Sequence, residues 1–342
     1  MKSIFDTSII NGLKLKNRVI RSATREGLSK LDGSLPDEQI NIYEELAKGG
    51  VGTIITGLAS VSTFDIDLEG MMRLSDDKII PSYQKLTEKV KAYDCVFLAQ
   101  LALSSYEKIE NKNKTILEAD NMLIDDIHYV VNLFAQAARR AQEAGFDGVQ
   151  IHAAHGFFLS KFISPAYNHR NDKYGGTPKN RVRILIDIIK AIRAVTHNFH
   201  LSIKINCSDF IPNGLTFKDS LIACKELSLG GIDSIEVSGN GALKTQIKPM
   251  ENEAYFLDFA TELKKYVNIP VILVGGHRSI EHMNMIINDN CIDYLSMSRP
   301  LIKEPDLVER WRQGDYRPST CISCNDCYKT HARQCIFNKR NN

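Results

Sequence analysis

The chain has 342 residues, 43% of them hydrophobic and 25% charged, so it can bury a large core. Its 43 lysines and arginines nearly balance 41 acidic residues, and no basic run with interleaved aromatic residues occurs, which argues against a nucleic-acid partner. No stretch approaches the roughly 20 apolar residues that cross a bilayer, and Met1 to Asp6 lack a signal-peptide core, so the sequence predicts a cytoplasmic protein.

Eight short apolar, β-rich segments recur along the chain, and helical patterns separate them. They lie at residues 18–21, 52–56, 95–100, 145–152, 201–205, 231–238, 270–274 and 291–298. Apolar strands that alternate with amphipathic helices are typical of an α/β protein with a parallel sheet. Eight such units favour closure into a (β/α)8 TIM barrel over an open doubly wound sheet, which stays an alternative.

The clearest helix precedes the fourth segment. Apolar residues from Ile127 to Ala141 recur at helical spacing, and the sequence predicts Asp125 as the N-cap and Gly145 as the left-handed C-cap. Residues 103–124 are polar and predict a long loop or an excursion over the barrel mouth. We therefore expect a barrel at residues 1–315 and a short Cys-rich tail at residues 316–342.

Unusual residues collect at the C-terminal ends of the predicted strands, where such barrels carry their chemistry. Gly275 and Gly276 precede a helix whose expected N-cap is Ser279, and Ser298 and Arg299 follow the last strand. Barrels often build a phosphate site from these two loops: the glycines allow close approach of backbone N–H groups, and the arginine adds a bidentate clamp.

Three further side chains at the strand ends suggest a ligand pocket. His152 and His155 are three residues apart among small neighbours, so both can donate to a substrate oxygen, with metal binding as the less favoured use. Lys204 lies in an apolar strand, and a buried lysine needs an anionic partner. By itself Lys204 is also compatible with a Schiff-base lyase.

Four of the eight cysteines crowd the tail. Cys321, Cys324, Cys327 and Cys335 are spaced C-x2-C-x2-C-x7-C, which predicts a metal site. Thiolates at this spacing suit a [4Fe-4S] cubane and a zinc ion about equally, and a metal-free remnant stays an alternative.

The run from His152 to Arg181 carries a longer motif, H-x-A-H-G, then S-P, N-x-R-x-D-x-Y-G-G and N-R. Its positions are His152, Ala154, His155, Gly156, Ser164, Pro165, Asn168, Arg170, Asp172, Tyr174, Gly175, Gly176, Asn180 and Arg181. This motif resembles the Old Yellow Enzyme family of FMN-dependent NADH:flavin oxidoreductases and ene-reductases. The resemblance extends over nearly the whole barrel, and the cysteine tail resembles that of the 2-enoate reductase and trimethylamine dehydrogenase branch.

The resemblance implies FMN at the barrel mouth and NAD(P)H as reductant. It places the phosphate at Gly275, Gly276, Ser298 and Arg299, the pyrimidine edge at Gln100, and the ring beside Ser22, Ala23, Thr24 and Leu58. Lys204 stands where the family usually has an arginine near flavin N1. His152 and His155 would bind the oxygen of an activated alkene.

Two residues depart from the family pattern. Phe157 replaces the usual proton-donating tyrosine, so Tyr106, Tyr167 or water would have to serve, and Arg25 replaces a residue that tunes the flavin. The sequence therefore predicts an oxidoreductase that reduces activated alkenes (enones and enoates), quinones or similar acceptors. A flavin- or metal-binding redox sensor stays the alternative beside the lyase. The substrate, the choice of NADH or NADPH and any homo-oligomer stay open.

Overall fold

Eight parallel strands surround the core of the protein in the computed structural model, which describes residues 1–65, 68–110, 113–241 and 243–338. The strands are β1 (Ser8–Ile10), β2 (Leu13–Leu15), β3 (Val19–Arg21), β4 (Thr53–Ser60), β5 (Met72–Arg73), β6 (Val96–Ala102), β7 (Tyr106–Glu110), β8 (Asn113–Leu117), β9 (Gly148–Ala153), β10 (His200–Asn206), β11 (Ser234–Ser238), β12 (Val271–Val274) and β13 (Tyr294–Met297). The helices are α1 (Asp37–Lys48), α2 (Ile80–Lys91), α3 (Ile124–Glu143), α4 (Phe158–Ile163), α5 (Pro178–Arg181), α6 (Arg183–Val195), α7 (Phe217–Leu229), α8 (Leu257–Lys264), α9 (Ile280–Asp289), α10 (Arg299–Lys303) and α11 (Leu307–Arg312).

The barrel is closed. Its strands follow the order β3, β4, β6, β9, β10, β11, β12, β13, and β13 returns to β3 with Leu295 opposite Val19. Strands β9, β10 and β11 are buried along their whole length, as expected for strands with side chains inside the barrel and helices outside. Closure confirms the (β/α)8 prediction and excludes the open sheet.

The two ends of helix α3 can be compared with the caps that the sequence predicts. It begins at Ile124, so Asp125 lies in its first turn and is not the N-cap. Asp126 has the capping contact instead, because its carboxylate accepts a hydrogen bond from the Leu123 N–H at 2.8 Å. Gly145 ends the helix in the left-handed region, with φ of +88°, which confirms the predicted C-cap.

Two hairpins flank the barrel. Strands β1 and β2 turn at Asn11 and Gly12, both with positive φ, and Ile10 and Leu15 pack on barrel residues such as Ile20. Strands β7 and β8 form an antiparallel hairpin within the segment expected to be a loop or an excursion, although residues 111–112 lie outside the described part. The sequence analysis did not predict these two strands, because their sequences are short and mostly polar.

The chain after α11 contains only two 3-10 turns in its described part, Asp326–Lys329 and His331–Arg333. The tail begins against the barrel, where the Trp311 indole N–H donates to the Arg317 carbonyl oxygen at 3.0 Å. Among the helices in the described ranges, none combines the length and the apolar character needed to cross a bilayer.

Candidate active site

Two adjoining cavities open at the C-terminal mouth of the barrel, one of about 550 Å³ and one of about 90 Å³. Ala23, His155 and Lys204 line both cavities, so the two cavities lie side by side. Of the other predicted site residues, Thr24, Leu58, Gln100 and His152 line the larger cavity, and Ser22, Gly276, Ser298 and Arg299 line the smaller one. Gly275 lies just behind, and its carbonyl oxygen accepts from the Tyr255 N–H at 3.2 Å.

The smaller cavity has the features of an anion site. Gly276 has a φ of +85°, and a Cβ there would lie 3.0 Å from the Tyr255 ring, so this loop requires glycine. Arg299 begins α10 and is 6% exposed, and its guanidinium donates to the Lys244 carbonyl oxygen and to Asn325 Oδ1. A buried guanidinium beside a glycine loop suits a phosphate group.

The N-terminus of α9 does not take part as the sequence suggested. Ser279 is at the N-cap position, but the buried Glu253 carboxylate accepts from the N–H groups of Arg278 (3.0 Å) and Ser279 (3.3 Å). The Ser279 hydroxyl also donates to Glu253, at 2.6 Å. This helix end is therefore already neutralised by a carboxylate of the chain itself, and the dipole of α9 is not free for a phosphate.

His152 and His155 face the larger cavity from the end of β9. Their rings lie 5.2 Å apart, edge to face, and His152 Nδ1 has no hydrogen-bond partner among the described atoms. His155 has a φ of +63°, and its Nε2 lies 2.8 Å from the Ser238 hydroxyl. His155 itself is open to solvent at the cavity; partial desolvation of its ring, followed by the charge of Lys204, lowers its pKa.

Burial lowers the pKa of His152 well below its usual value, with smaller contributions from His155 and Lys204. Both imidazoles are therefore neutral near pH 7. A neutral imidazole presents one N–H donor and one acceptor, so the pair can polarise a ligand oxygen by hydrogen bonding without adding charge.

Lys204 has the anionic partner that its burial requires. Its ammonium lies 3.2 Å from Glu236 Oε1 and donates to the Ser22 hydroxyl at 2.7 Å. This pairing opposes the free amine that a Schiff base needs, so it does not favour the lyase alternative. Sequence reasoning missed Glu236, although a charged residue in the apolar β11 gives the same signal as Lys204.

The proton donors suggested in place of Phe157 lie elsewhere. Tyr106 is buried in β7 against Tyr129, and Tyr167 is 42% exposed on the surface. Neither lines the cavity, whereas Phe157 does, with its ring 4.7 Å from that of His152. Among the tyrosines of the described ranges, Tyr328 from the tail lines the larger cavity, a residue that the sequence analysis did not single out.

The four tail cysteines surround one small cavity of about 20 Å³ beside Arg299. Burial raises the pKa of the Cys327 thiol, and the neighbouring Cys321, Cys324 and Cys335 raise it further, while the charge of Arg299 opposes them. Within the described residues, no three His, Cys, Asp or Glu side chains converge closely enough to hold a single metal ion. Thiols around a cavity suit a cubane, which takes one thiolate at each iron corner.

The tail is bonded directly to the cavity loops. The buried Arg278 guanidinium donates to the Cys321 carbonyl oxygen at 3.0 Å and to the Ser323 hydroxyl, and also to the His277 carbonyl oxygen at 2.7 Å. Asn325 accepts from Arg299 and donates to the Leu243 carbonyl oxygen at 3.0 Å. The cysteine segment and the anion site are thus parts of one hydrogen-bonded unit.

A (β/α)8 barrel with a glycine–arginine anion site and a buried cation beside a mainly apolar cavity at its mouth suits a phosphorylated ring ligand. Residues 3–317 match the model of the NADH:flavin oxidoreductase / NADH oxidase family, and the chain belongs to that family. FMN is the cofactor of this family and NAD(P)H its reductant.

Three relatives illustrate the match. The NADH oxidase of Thermoanaerobacter brockii is 29% identical over 343 residues, covering 94% of this chain and 53% of that protein. The fold is that of 2-naphthoyl-CoA reductase (TM-score 0.85, 23% identity, 95% of this chain and 54% of that one). It is also that of the old yellow enzyme homologue from Zymomonas mobilis (TM-score 0.76, 22% identity, 94% and 96%). The chain thus spans about half the length of the first two.

The residues at the mouth fit FMN. The smaller cavity has a loop that excludes side chains and a guanidinium for the phosphate, and the larger one has room for a ring system. Gln100 offers an amide and Lys204 a cation to polar edges of the isoalloxazine.

Replacing Arg299 tests the phosphate assignment. We expect Arg299→Ala to weaken FMN binding roughly tenfold to a hundredfold, because it removes a charge-assisted hydrogen bond. Arg312→Ala, at an exposed arginine of α11, is the matched control. FMN dissociation constants from fluorescence titration measure both, and equal affinity in the two variants would contradict the assignment.

Proposed function

We propose that the protein is an FMN-dependent oxidoreductase that uses NAD(P)H to reduce activated alkenes, quinones or similar electrophilic acceptors. The observation that carries the proposal is the pair of adjacent imidazoles that line the cavity fitting FMN, the buried His152 and the solvent-open His155, with their rings 5.2 Å apart. An electron-poor acceptor with a carbonyl or nitro oxygen gains reactivity when two donors hold that oxygen.

Bound FMN supplies hydride transfer between NAD(P)H and the acceptor. The residues of this chain bind and polarise the reactants: His152 and His155 donate to the acceptor oxygen, and Lys204 places positive charge at the polar edge of the ring. Arg25 also lines the cavity, and its guanidinium is bonded to the Glu69 carbonyl oxygen at 2.8 Å. Arg25 adds positive charge to the cavity wall, which the nearby Glu69 side chain offsets in part, and we expect this charge to favour acceptors that carry a negative charge, such as enoates.

The basic test is a visible spectrum of freshly purified protein under anaerobic conditions, followed by NAD(P)H oxidation with and without an acceptor. We expect an oxidised-flavin spectrum and acceptor-dependent oxidation. A colourless protein that stays apo after incubation with FMN would overturn the proposal, and flavin without acceptor-dependent turnover would favour a redox sensor.

We expect His152→Ala and His155→Ala each to slow flavin reoxidation by an enone about 100-fold to 1000-fold, while reduction by NAD(P)H changes little, because each removes a donor to the acceptor oxygen. His197→Ala, at an exposed histidine, is the control. Stopped-flow traces separate the two half-reactions. Reoxidation rates that match wild type in both variants would make the histidines structural.

The same two histidines predict a pH profile. Since both imidazoles are neutral, we expect the rate of flavin reoxidation to show no inflection from them between about pH 5 and 8.

Phe157→Tyr tests whether the chain lacks a proton donor. General acid catalysis is worth roughly 100-fold to 10,000-fold, so we expect faster single-turnover reduction of a cyclic enone. A quinone accepts hydride at oxygen and needs no protonation at carbon, so the variant should reduce a quinone at a rate near that of the wild-type protein. Equal changes for both acceptors would mean that Phe157 shapes the pocket instead.

We also propose that Cys321, Cys324, Cys327 and Cys335 hold a [4Fe-4S] cluster, because four thiols around one cavity fit a cubane better than a single ion. Anaerobically purified protein should then contain about four iron atoms and equivalent acid-labile sulfide. We expect Cys321→Ser to lose most of this iron, and Cys291→Ser, at an exposed cysteine outside the tail, to keep it. Zinc in place of iron, or equal iron in both variants, would contradict the proposal.

A further inference from the structure

Glu236 is a fully buried carboxylate in the middle of β11, below the cavity. Its Oε1 accepts from the hydroxyl groups of Ser22 and Ser296, each at 2.7 Å, and lies 3.2 Å from Lys204 Nζ. Its Oε2 accepts from Gln150 Nε2 at 2.8 Å. Burial by itself would raise the pKa of Glu236, but Lys204 and these hydrogen bonds outweigh it and lower the pKa, so the group is a carboxylate.

A carboxylate can only accept hydrogen bonds, and this fixes the orientation of two amides in series. Gln150 must turn its Nε2 toward Glu236, so its Oε1 faces the other way. That Oε1 accepts from Gln100 Nε2 at 2.8 Å. Because Gln100 lines the larger cavity, its Oε1 and the second N–H of its Nε2 are left for a ligand there.

Glu236 also compensates the positive charge of Lys204 at the cavity wall. Lys204 lines both cavities, whereas Glu236 lines neither, so the cation lies nearer to a bound ring than its counterion does. The pair is 4% and 0% exposed, and water screens it little. A ligand that gains negative charge is therefore stabilised by Lys204 and partly destabilised by Glu236.

We propose that Glu236 is a positioning residue for the flavin: it anchors Lys204 at the cavity wall and, through Gln150, fixes the orientation of the Gln100 amide that would meet the polar edge of the ring. The proposal rests on the proposed function, because it requires FMN in this cavity. Glu236 contacts neither cofactor nor substrate, and it acts through Lys204 and Gln100. A carboxylate with a purely structural role would leave the potential and affinity of FMN unaffected.

The test compares FMN-loaded wild type, Glu236→Gln and Asp126→Asn. The control changes a second buried acidic side chain, which lies in the first turn of α3, accepts a hydrogen bond from the Leu123 N–H at 2.8 Å and lines neither cavity. Removing the charge of Glu236 leaves Lys204 uncompensated, so we expect the ratio of reduced-FMN to oxidised-FMN affinity to rise about tenfold. For a two-electron couple that is a midpoint potential higher by about 30 mV. The control should leave the potential unchanged.

A second variant, Gln150→Leu, tests the hydrogen bonds that run from Glu236 through Gln150 to Gln100. It keeps the Lys204–Glu236 pair, and it tests the proposal even if Glu236→Gln does not fold. We expect several-fold weaker binding of oxidised FMN, because the orientation of Gln100 is no longer imposed, with a potential near that of wild type. An unchanged potential in folded Glu236→Gln, or unchanged FMN affinity in Gln150→Leu, would overturn the inference. Failure of wild type to bind FMN would instead overturn the proposed function.

Discussion

Closure of the barrel at β3 is the constraint on which the rest of the structure depends. Only three residues of β3 bridge β13 and β4, yet this register brings the first and last thirds of the chain to one rim. The Thr24 hydroxyl lies 2.7 Å from that of Ser298, which is 274 residues away. Because parallel strands end at the same edge, closure gathers into one mouth the side chains that follow each strand.

Burial then decides how those side chains behave. Lys204, Glu236 and His152 are buried at and below the mouth, where an uncompensated charge is costly. Lys204 and Glu236 are retained as an ion pair with hydroxyl and amide donors, and the imidazoles stay neutral. The resulting site presents one compensated cation and several hydrogen-bonding groups, an environment that suits a ring system whose charge changes on reduction.

The tail belongs to this site through two arginines. Arg278 follows β12 and Arg299 follows β13, and each donates to the cysteine segment as well as to its own side of the barrel mouth. Tyr328 completes the contact by lining the cavity directly. The cysteine segment and the anion site therefore share two buried guanidiniums.

The sequence by itself determined the class of fold, because eight apolar segments separated by amphipathic helices require a parallel sheet covered by helices, whereas the pairing of β13 with β3 decided that the sheet closes. It also predicted that the residues after each strand would lie at the same rim, because all strands of a parallel barrel end there. The hairpin at β7 and β8 was missed because its signal is local and polar, and the capping of α9 by Glu253 because that carboxylate lies 26 residues from Ser279. Only the tertiary structure decided the partner of Lys204, the orientation of Gln100 and the distance of Tyr106 from the cavity. These depend on contacts between strands far apart in the chain, which no sequence period encodes.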